Sequence, residues 1–295
     1  MYYRLYNNVI ISDISLDKFG LQQLKNPPPS SIINIEFTAS IKSKYKKYTN
    51  HQTTVDDTYG YYYVENIAMF EIFSGKKIVI NYLDKIDDDL IHTLLNYPFA
   101  ILFNQKKKYV IHASSVLFNG KVFCFCGKSQ SGKSSLASYL LKMGGSLISE
   151  DTCIFDYREN NLLLLPSYNF LKISDEVNEY KNLTFTKPIK FLKKLTDRKG
   201  YILDNHKFFL EPTKVDYFIY LQWSEGFSDI EKLNNVKSLQ MLLSNEFISY
   251  IKEDASFKFK AASILVSQAN HFLFLREKEL KTLDDFIKIF TKKFL

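Results

Sequence analysis

Gly127-Lys128-Ser129-Gln130-Ser131-Gly132-Lys133-Ser134 is the stretch on which the reading of this 295-residue chain turns. Its two glycines let the backbone curl with its N–H groups pointing inward, the geometry that cradles a phosphate. Lys121 to Cys126, just before it, is rich in β-formers and reads as a strand. Ser134 to Met143, just after it, reads as a helix with Leu136, Leu140 and Leu141 on one face, ended by Gly144-Gly145. A helix starting there turns the positive end of its dipole toward the same anion. Lys133 would pair the β- and γ-phosphates, and Ser134 would place its hydroxyl on magnesium. Residues Gly127 to Ser134 together with Ser135 are therefore expected to line a nucleoside triphosphate site. A plain Gly-rich connector is the rival reading, and the strand and helix on either side disfavour it.

Upstream of the loop, Tyr109 to Phe118 is a second β-rich run, and Asn119-Gly120 is the strongest two-residue hairpin signal in the chain. A hairpin there sets Phe118 opposite Lys121, Val116 opposite Phe123, Ser114 opposite Phe125 and His112 opposite Gly127. His112 thus falls at the mouth of the loop, where an imidazole can tune a carboxylate or meet a phosphate. Otherwise it is an ordinary structural histidine. Downstream, Ser146 to Phe155 reads as a strand carrying Glu150-Asp151, with Glu150 only 17 residues after Lys133. Of such a pair, one carboxylate can hold magnesium while its neighbour accepts a proton from an attacking hydroxyl. Ser134, Glu150 and Asp151 are the candidate metal ligands; His112, Lys133, Glu150 and Asp151 are the candidate catalytic residues. A solvated acidic turn is the alternative for the pair.

Farther out, residues 1–100 read as a β-rich lobe: strands over Tyr3 to Ile14, Ile32 to Ile41 after Pro27-Pro28-Pro29, and Gly60 to Tyr82 with a turn at Ser74-Gly75. Asp87 to Phe103 switches to helical spacing, with Pro98 marking a break. Residues 101–295 form the second unit. In it Asn160 to Leu171 is an apolar stretch around Pro166, and Lys181 to Lys207 is a Lys-rich span without periodicity, read as a long loop. Val215 to Leu221 and His271 to Leu275 read as strands, Lys237 to Ile251 and Thr282 to Phe294 as helices.

Composition is that of a folded globular chain, 46% hydrophobic and 24% charged, which excludes disorder and fibrous classes. The net charge of +7 comes chiefly from scattered lysines, with arginine only at positions 4, 158, 198 and 276. No basic block or nucleic-acid module accompanies it, so nucleic acid is not an expected partner. Cys124, Cys126 and Cys153 are an odd trio in apolar runs, read as reduced buried thiols without a metal or redox role. No targeting start and no run of about 18 apolar residues is evident, so a cytoplasmic protein without a membrane span is expected.

Ile111-His112-Ala113-Ser114-Ser115-Val116, the hairpin, the phosphate loop and Leu147-Ile148-Ser149-Glu150-Asp151 together resemble the HPr serine kinase family, above all its kinase-only relatives that modify ribosomally made peptides such as lasso-peptide precursors. The match is specific over residues 109–156 and one of layout elsewhere. The resemblance implies an α/β fold whose P-loop core is like HPr kinase and phosphoenolpyruvate carboxykinase, behind an N-terminal β-rich lobe. It implies ATP and Mg2+ as cofactors and phosphoryl transfer to a serine of a peptide or protein; self-association is compatible with it. By position, Lys133 and Ser134 would bind phosphate and magnesium, His112 would assist, and Glu150 with Asp151 would supply base and metal ligand. Two departures stand out. The family has two aspartates where this chain has Glu150-Asp151, and the longer arm shifts a carboxylate by about 1.5 Å, one C–C bond, so which residue is the base stays open. The Glu-x-Arg-Gly stretch of bifunctional HPr kinase/phosphorylases is missing, which argues against phosphorolysis and against HPr as substrate. Arg198 and Lys199 can reach the phosphate or belong to a solvated loop. The rival functions are an ATP-binding regulatory module and a kinase of a small metabolite.

Overall fold

Period-two alternation builds the first layer: in Ile32–Ala39 the residues Ile33 and Ile35 are buried while Ile32, Asn34 and Glu36 are exposed. The computed structural model describes residues 1–28, 31–39, 53–177, 189–190, 198–225, 228–247, 255–277 and 282–294. The first sheet has eight strands, β1 (Tyr2–Leu5), β2 (Asn8–Ser12), β3 (Gln22–Gln23), β4 (Ile32–Ala39), β5 (Thr53–Val55), β6 (Tyr59–Val64), β7 (Ala68–Phe73) and β8 (Lys77–Tyr82), in the order β3-β1-β2-β4-β8-β7-β6-β5. The run Tyr3 to Ile14, expected as one strand, is a hairpin. Tyr6 (φ 48°) and Asn7 (φ 57°) take the left-handed conformation that a two-residue hairpin turn needs, a conformation Tyr does not advertise. Ser74 (φ 48°) and Gly75 (φ 64°) make the expected turn.

Helix α1 (Asp88–Leu94) starts at Asp87, whose carboxylate accepts from the Leu90 N–H at 3.0 Å. Helix α2 (Tyr97–Gln105) follows. The break lies at Leu95-Asn96, and Pro98 sits in the first turn of α2, where its missing N–H costs nothing. Residue 100, the expected division, falls inside α2. Phe99, Leu102 and Phe103 of this helix share one core with Ile35, Phe70 and Ile80 of the first sheet and with Val110, Ile154 and Phe170 farther along.

The second sheet, also of eight strands, contains β9 (Tyr109–Phe118), β10 (Lys121–Cys126), β11 (Ser146–Ser149), β12 (Thr152–Arg158), β13 (Asn161–Leu165), β17 (Tyr217–Trp223), β18 (Asp229–Lys232) and β19 (Asn270–Arg276). Its order is β13-β12-β9-β10-β17-β19-β18, with β11 also on β9. Strands β10, β17 and β19 are mutually parallel and end at the same edge. Alternation along β10 sends Phe123 and Phe125 to the face covered by α3 (Lys133–Lys142) and α6 (Thr282–Phe294). Cys124 and Cys126 go to the face covered by α4 (Asn235–Ser244) and α5 (Ala255–Gln268). All three cysteines are buried and free. A third sheet of three strands, in the order β14-β16-β15, is made of β14 (Phe170–Ile173), β15 (Ile189–Lys190) and β16 (Lys199–Ile202).

Three sequence expectations change. The strand Ser146 to Phe155 is broken at Glu150-Asp151 into β11 and β12. The span Lys181 to Lys207 holds β16 and a 3-10 turn at Asn205–Lys207, and so is no continuous loop; its residues 181–188 and 191–197 lie outside the described residues. Residues 248–251 of the expected helix Lys237 to Ile251, with Pro29, Ser40 and Ile41, also lie outside them, and α4 covers Asn235–Ser244. Helix α5 and strand β18 were not anticipated. No helix among the described residues is long and apolar enough to cross a membrane.

Candidate active site

The site forms around β9 because that strand is shared. On one edge it pairs with β10, with Phe118 on Lys121, Val116 on Phe123, Ser114 on Phe125 and Ala113 on Cys126. That register, set by Asn119 (φ 48°) and Gly120 (φ 71°), is the one read from the sequence, and it stops one step short of His112 and Gly127. On its other edge β9 pairs with β11 and then β12, the latter aligning Thr152 with His112. The loop at the end of β10 and the acidic pair between β11 and β12 therefore flank one strand, with His112 between them.

Glycine is demanded at both ends of the loop. A Cβ at Gly127 (φ 144°) would lie 2.7 Å from the Leu221 carbonyl oxygen and from Ser131 Oγ. Gly132 (φ 100°) is the left-handed N-cap of α3. Lys128, Ser129 and Gln130 are exposed, while Ser131, Lys133 and Ser134 are buried and Ser135 is half-buried. Lys133 folds back over the loop, its Nζ donating to the carbonyls of Gly127 (2.8 Å) and Lys128 (3.0 Å). Burial lowers its pKa, and the nearby Asp151 and Glu150 oppose that. Ser134 Oγ donates to Glu150 Oε1 at 2.6 Å, tying the loop to the acidic pair.

The pair occupies a corner. Asp151 is left-handed (φ 62°), Thr152 N donates to the Glu150 carbonyl at 2.7 Å, and Ser149 Oγ donates to the Thr152 carbonyl at 2.6 Å. The Asp151 carbonyl accepts from Ala113 N (3.3 Å) and from His112 Nδ1 (2.9 Å). Because a carbonyl only accepts, Nδ1 carries the proton. His112 meets the backbone of Asp151 and Phe247 edge-on, at 5.5 Å between ring centres, and its pKa is lowered by burial and then by Lys133. As a neutral ring it props the corner.

The two carboxylates differ sharply. Burial and the charge of Asp151 push Glu150 up to about 7, against the pull of Ser134 and Lys172. Burial would raise Asp151 as well, but the charge and hydrogen bond of Lys172 outweigh it and hold that carboxyl well below the usual range. Lys172, on β14, ion-pairs directly with Asp151 Oδ2; Lys172 is buried and Asp151 half-buried. The sequence reading missed Lys172. A lysine inside the apolar run Phe170-Leu171-Lys172-Ile173 was the available signal. Of the two other cations considered, Lys199 pairs with Asp175 Oδ1 at 2.7 Å, and the charge of Arg198 is felt at Lys133.

Three buried oxygens here, Glu150 Oε2, Ser131 Oγ and Thr152 Oγ1, have no hydrogen-bond partner among the described residues. Hard oxygen donors, one of them unsatisfied on a carboxylate already joined to Ser134, suit magnesium, which keeps most of its ligands as water and phosphate. No group of three or more His, Cys, Asp or Glu that could hold a metal is present among the described residues.

Neither a protein-family model nor a curated protein matches this sequence. Among solved structures, the chain is similar to the HPr(Ser) kinase/phosphatase from Coxiella burnetii, at 14% identity over 62% of this chain and 88% of that one, with a TM-score of 0.31. At that score the case for what the site does rests on the chain's own residues.

Proposed function

We propose that this chain is an ATP-dependent kinase that transfers the γ-phosphoryl group to a hydroxyl, specifically a serine of a peptide or protein. The observation that carries the reading is the 2.6 Å contact between Ser134 Oγ and the buried Glu150 Oε1, which joins a phosphate loop to an adjacent pair of carboxylates. The likeness of residues 109–156 to the kinase-only relatives of HPr kinase supports serine as acceptor and a ribosomally made peptide as its carrier. In this reading residues 101–295 carry the chemistry and residues 1–100 form the β-rich lobe.

The loop N–H groups and the α3 N-terminus hold the phosphates, and Lys133 leaves the carbonyls of Gly127 and Lys128 for the β- and γ-phosphates. Ser134 and Glu150 would hold magnesium, which supplies neutralisation of charge on the transferring group. Asp151, fixed by Lys172 and by the two bonds to its carbonyl, orients the acceptor hydroxyl and takes its proton late. Its low basicity is compatible with a loose transfer in which the proton leaves after the phosphoryl group has moved. His112 positions Asp151.

The test is transfer of labelled γ-phosphate from MgATP to serine peptides. Asp151→Asn should cut the rate by about 10²–10⁴-fold, and Lys133→Ala should abolish it with weaker ATP binding. An unchanged rate in Asp151→Asn would remove Asp151 as base. A second reading, an ATP-binding regulatory module without transfer, is favoured by the same Lys172–Asp151 pair, which already occupies the carboxylate. ATP binding with no labelled acceptor would select it.

A further inference from the structure

The phosphate loop has a neighbour that the proposed chemistry does not use. Arg276, the last residue of β19, is 4% exposed, and its Nη1 lies 2.8 Å from the point where a Cβ on Gly132 would be. Its Nε makes one long contact, 3.4 Å, to the Glu277 carbonyl, and its guanidinium lies 4.7 Å from the ring centre of Trp223, the last residue of β17. Among the described residues its Nη1 has no hydrogen-bond partner, and no carboxylate pairs with the group. Cys126, Trp223 and Arg276 end three parallel strands at one edge, the side on which open α/β sheets bind ligands.

A buried guanidinium with an unfilled donor and no counterion is costly unless an anion completes it. Burial alone lowers its pKa to about 10, as expected where no negative charge offsets the loss of water. The other buried cations near the loop are engaged: Lys133 by carbonyls, Lys172 by Asp151. Arg276 abuts the residue whose N–H begins the α3 cradle, and the planar fork of its guanidinium matches phosphate oxygens.

We propose that Arg276, seated over the ring of Trp223, is a further phosphate-binding residue of this site, donating from Nη1 to the polyphosphate chain of the bound nucleotide. This rests on the nucleotide reading of the loop. It makes the C-terminal strand β19 part of the binding site, some 140 residues beyond the loop in the sequence.

Binding is measured by thermal shift and by fluorescence of Trp223, the only tryptophan, with MgATP and with inorganic tripolyphosphate. Wild type, Arg276→Gln, Arg276→Lys and Lys133→Ala are compared. Arg276→Gln should weaken both ligands by about ten- to a hundredfold, with Arg276→Lys between it and wild type. The ligand-free melting temperature should stay level or rise, because an unpaired buried charge is gone. A structural role predicts the reverse, a lower ligand-free melting temperature with ligand affinity intact in the folded fraction, and overturns the proposal. Loss of MgATP binding with tripolyphosphate unaffected also overturns it, placing the contact on the base or ribose. If Lys133→Ala weakens MgATP while Arg276→Gln does not, the inference falls and the nucleotide reading stands; if wild type binds neither ligand, both fall.

Discussion

Among the described residues two lysine–carboxylate pairs are largely buried, Lys172–Asp151 and Lys258–Glu246, with side-chain exposures of 9 and 14% against 7 and 7%. Similar burial has opposite outcomes. Glu246 is pushed up by burial despite Lys258, and its Oε1 has no hydrogen bond among the described residues. Asp151 is held low chiefly by the charge of Lys172, which ion-pairs with it directly. The backbones differ as well: Glu246 makes an isolated bridge to Ile111 of β9, whereas Asp151 occupies a left-handed corner beside the phosphate loop. Burial of an ion pair therefore does not mark the candidate site. The left-handed corner beside the phosphate loop does.

That contrast can be broken experimentally. Lys258→Met should show the largest loss of stability, about 3–5 kcal/mol by urea unfolding, since it strands a buried carboxylate. Phosphotransfer per folded molecule should be retained. If transfer disappears from the folded fraction, the two pairs are not distinct in role. Lys172→Met should cost less, about 1.5–3 kcal/mol, because the Asp151 side chain keeps more contact with water than that of Glu246, 14% against 7%. MgATP stabilises each protein by an amount set by its affinity, so Lys172→Met should gain less from it than Lys258→Met; an equal gain in the two variants would make Lys172 a scaffold residue like Lys258.

The smallest effect concerns pH and separates the neighbours Glu150 and Asp151. With its folded pKa raised from 4.5 to about 7, Glu150 contributes stability that is complete below 4.5 and is lost as pH rises through about 7. Asp151 has the opposite sign: its contribution is present above its ordinary 3.8 and fades only in acid. Three histidines whose pKa values burial lowers, His92, His112 and His271, push stability the other way over the same range, so the signal is the difference: from pH 4.5 to 7.5 the melting temperature of the wild type should fall relative to that of Glu150→Gln. A slope unchanged in that variant would move the titration elsewhere.

The loop, the hairpin and its register were legible because each is local: glycines at fixed spacing, Asn-Gly between β-runs, and residues that pair across a two-residue turn. The spacing from Lys133 to Glu150 was legible too, but the corner at Asp151 was not, since a left-handed non-glycine residue leaves only a weak trace in sequence. Lys172 and Arg276 were missed for a tertiary reason. Each is a single charge in or at the end of an apolar strand, and only the packed sheet says what it faces. Helix α5 stayed hidden because its buried positions, Lys258, Ala261, Ala262 and Leu265, include a lysine and two small residues, which blur its apolar stripe.

The shared strand β9 also bears on how the chain assembles. Its partners β10, β11 and β12 all follow within 40 residues of its end, whereas the bond from Val122 N to Asp216 closes 94 residues at once. Closing short loops forfeits less chain entropy, so the hairpin, α3 and the acidic corner can gather early, as a local nucleus. The strand that delivers Arg276 docks against it afterwards. On that order of events the cradle is shaped first, and the distant guanidinium seals it only when folding ends.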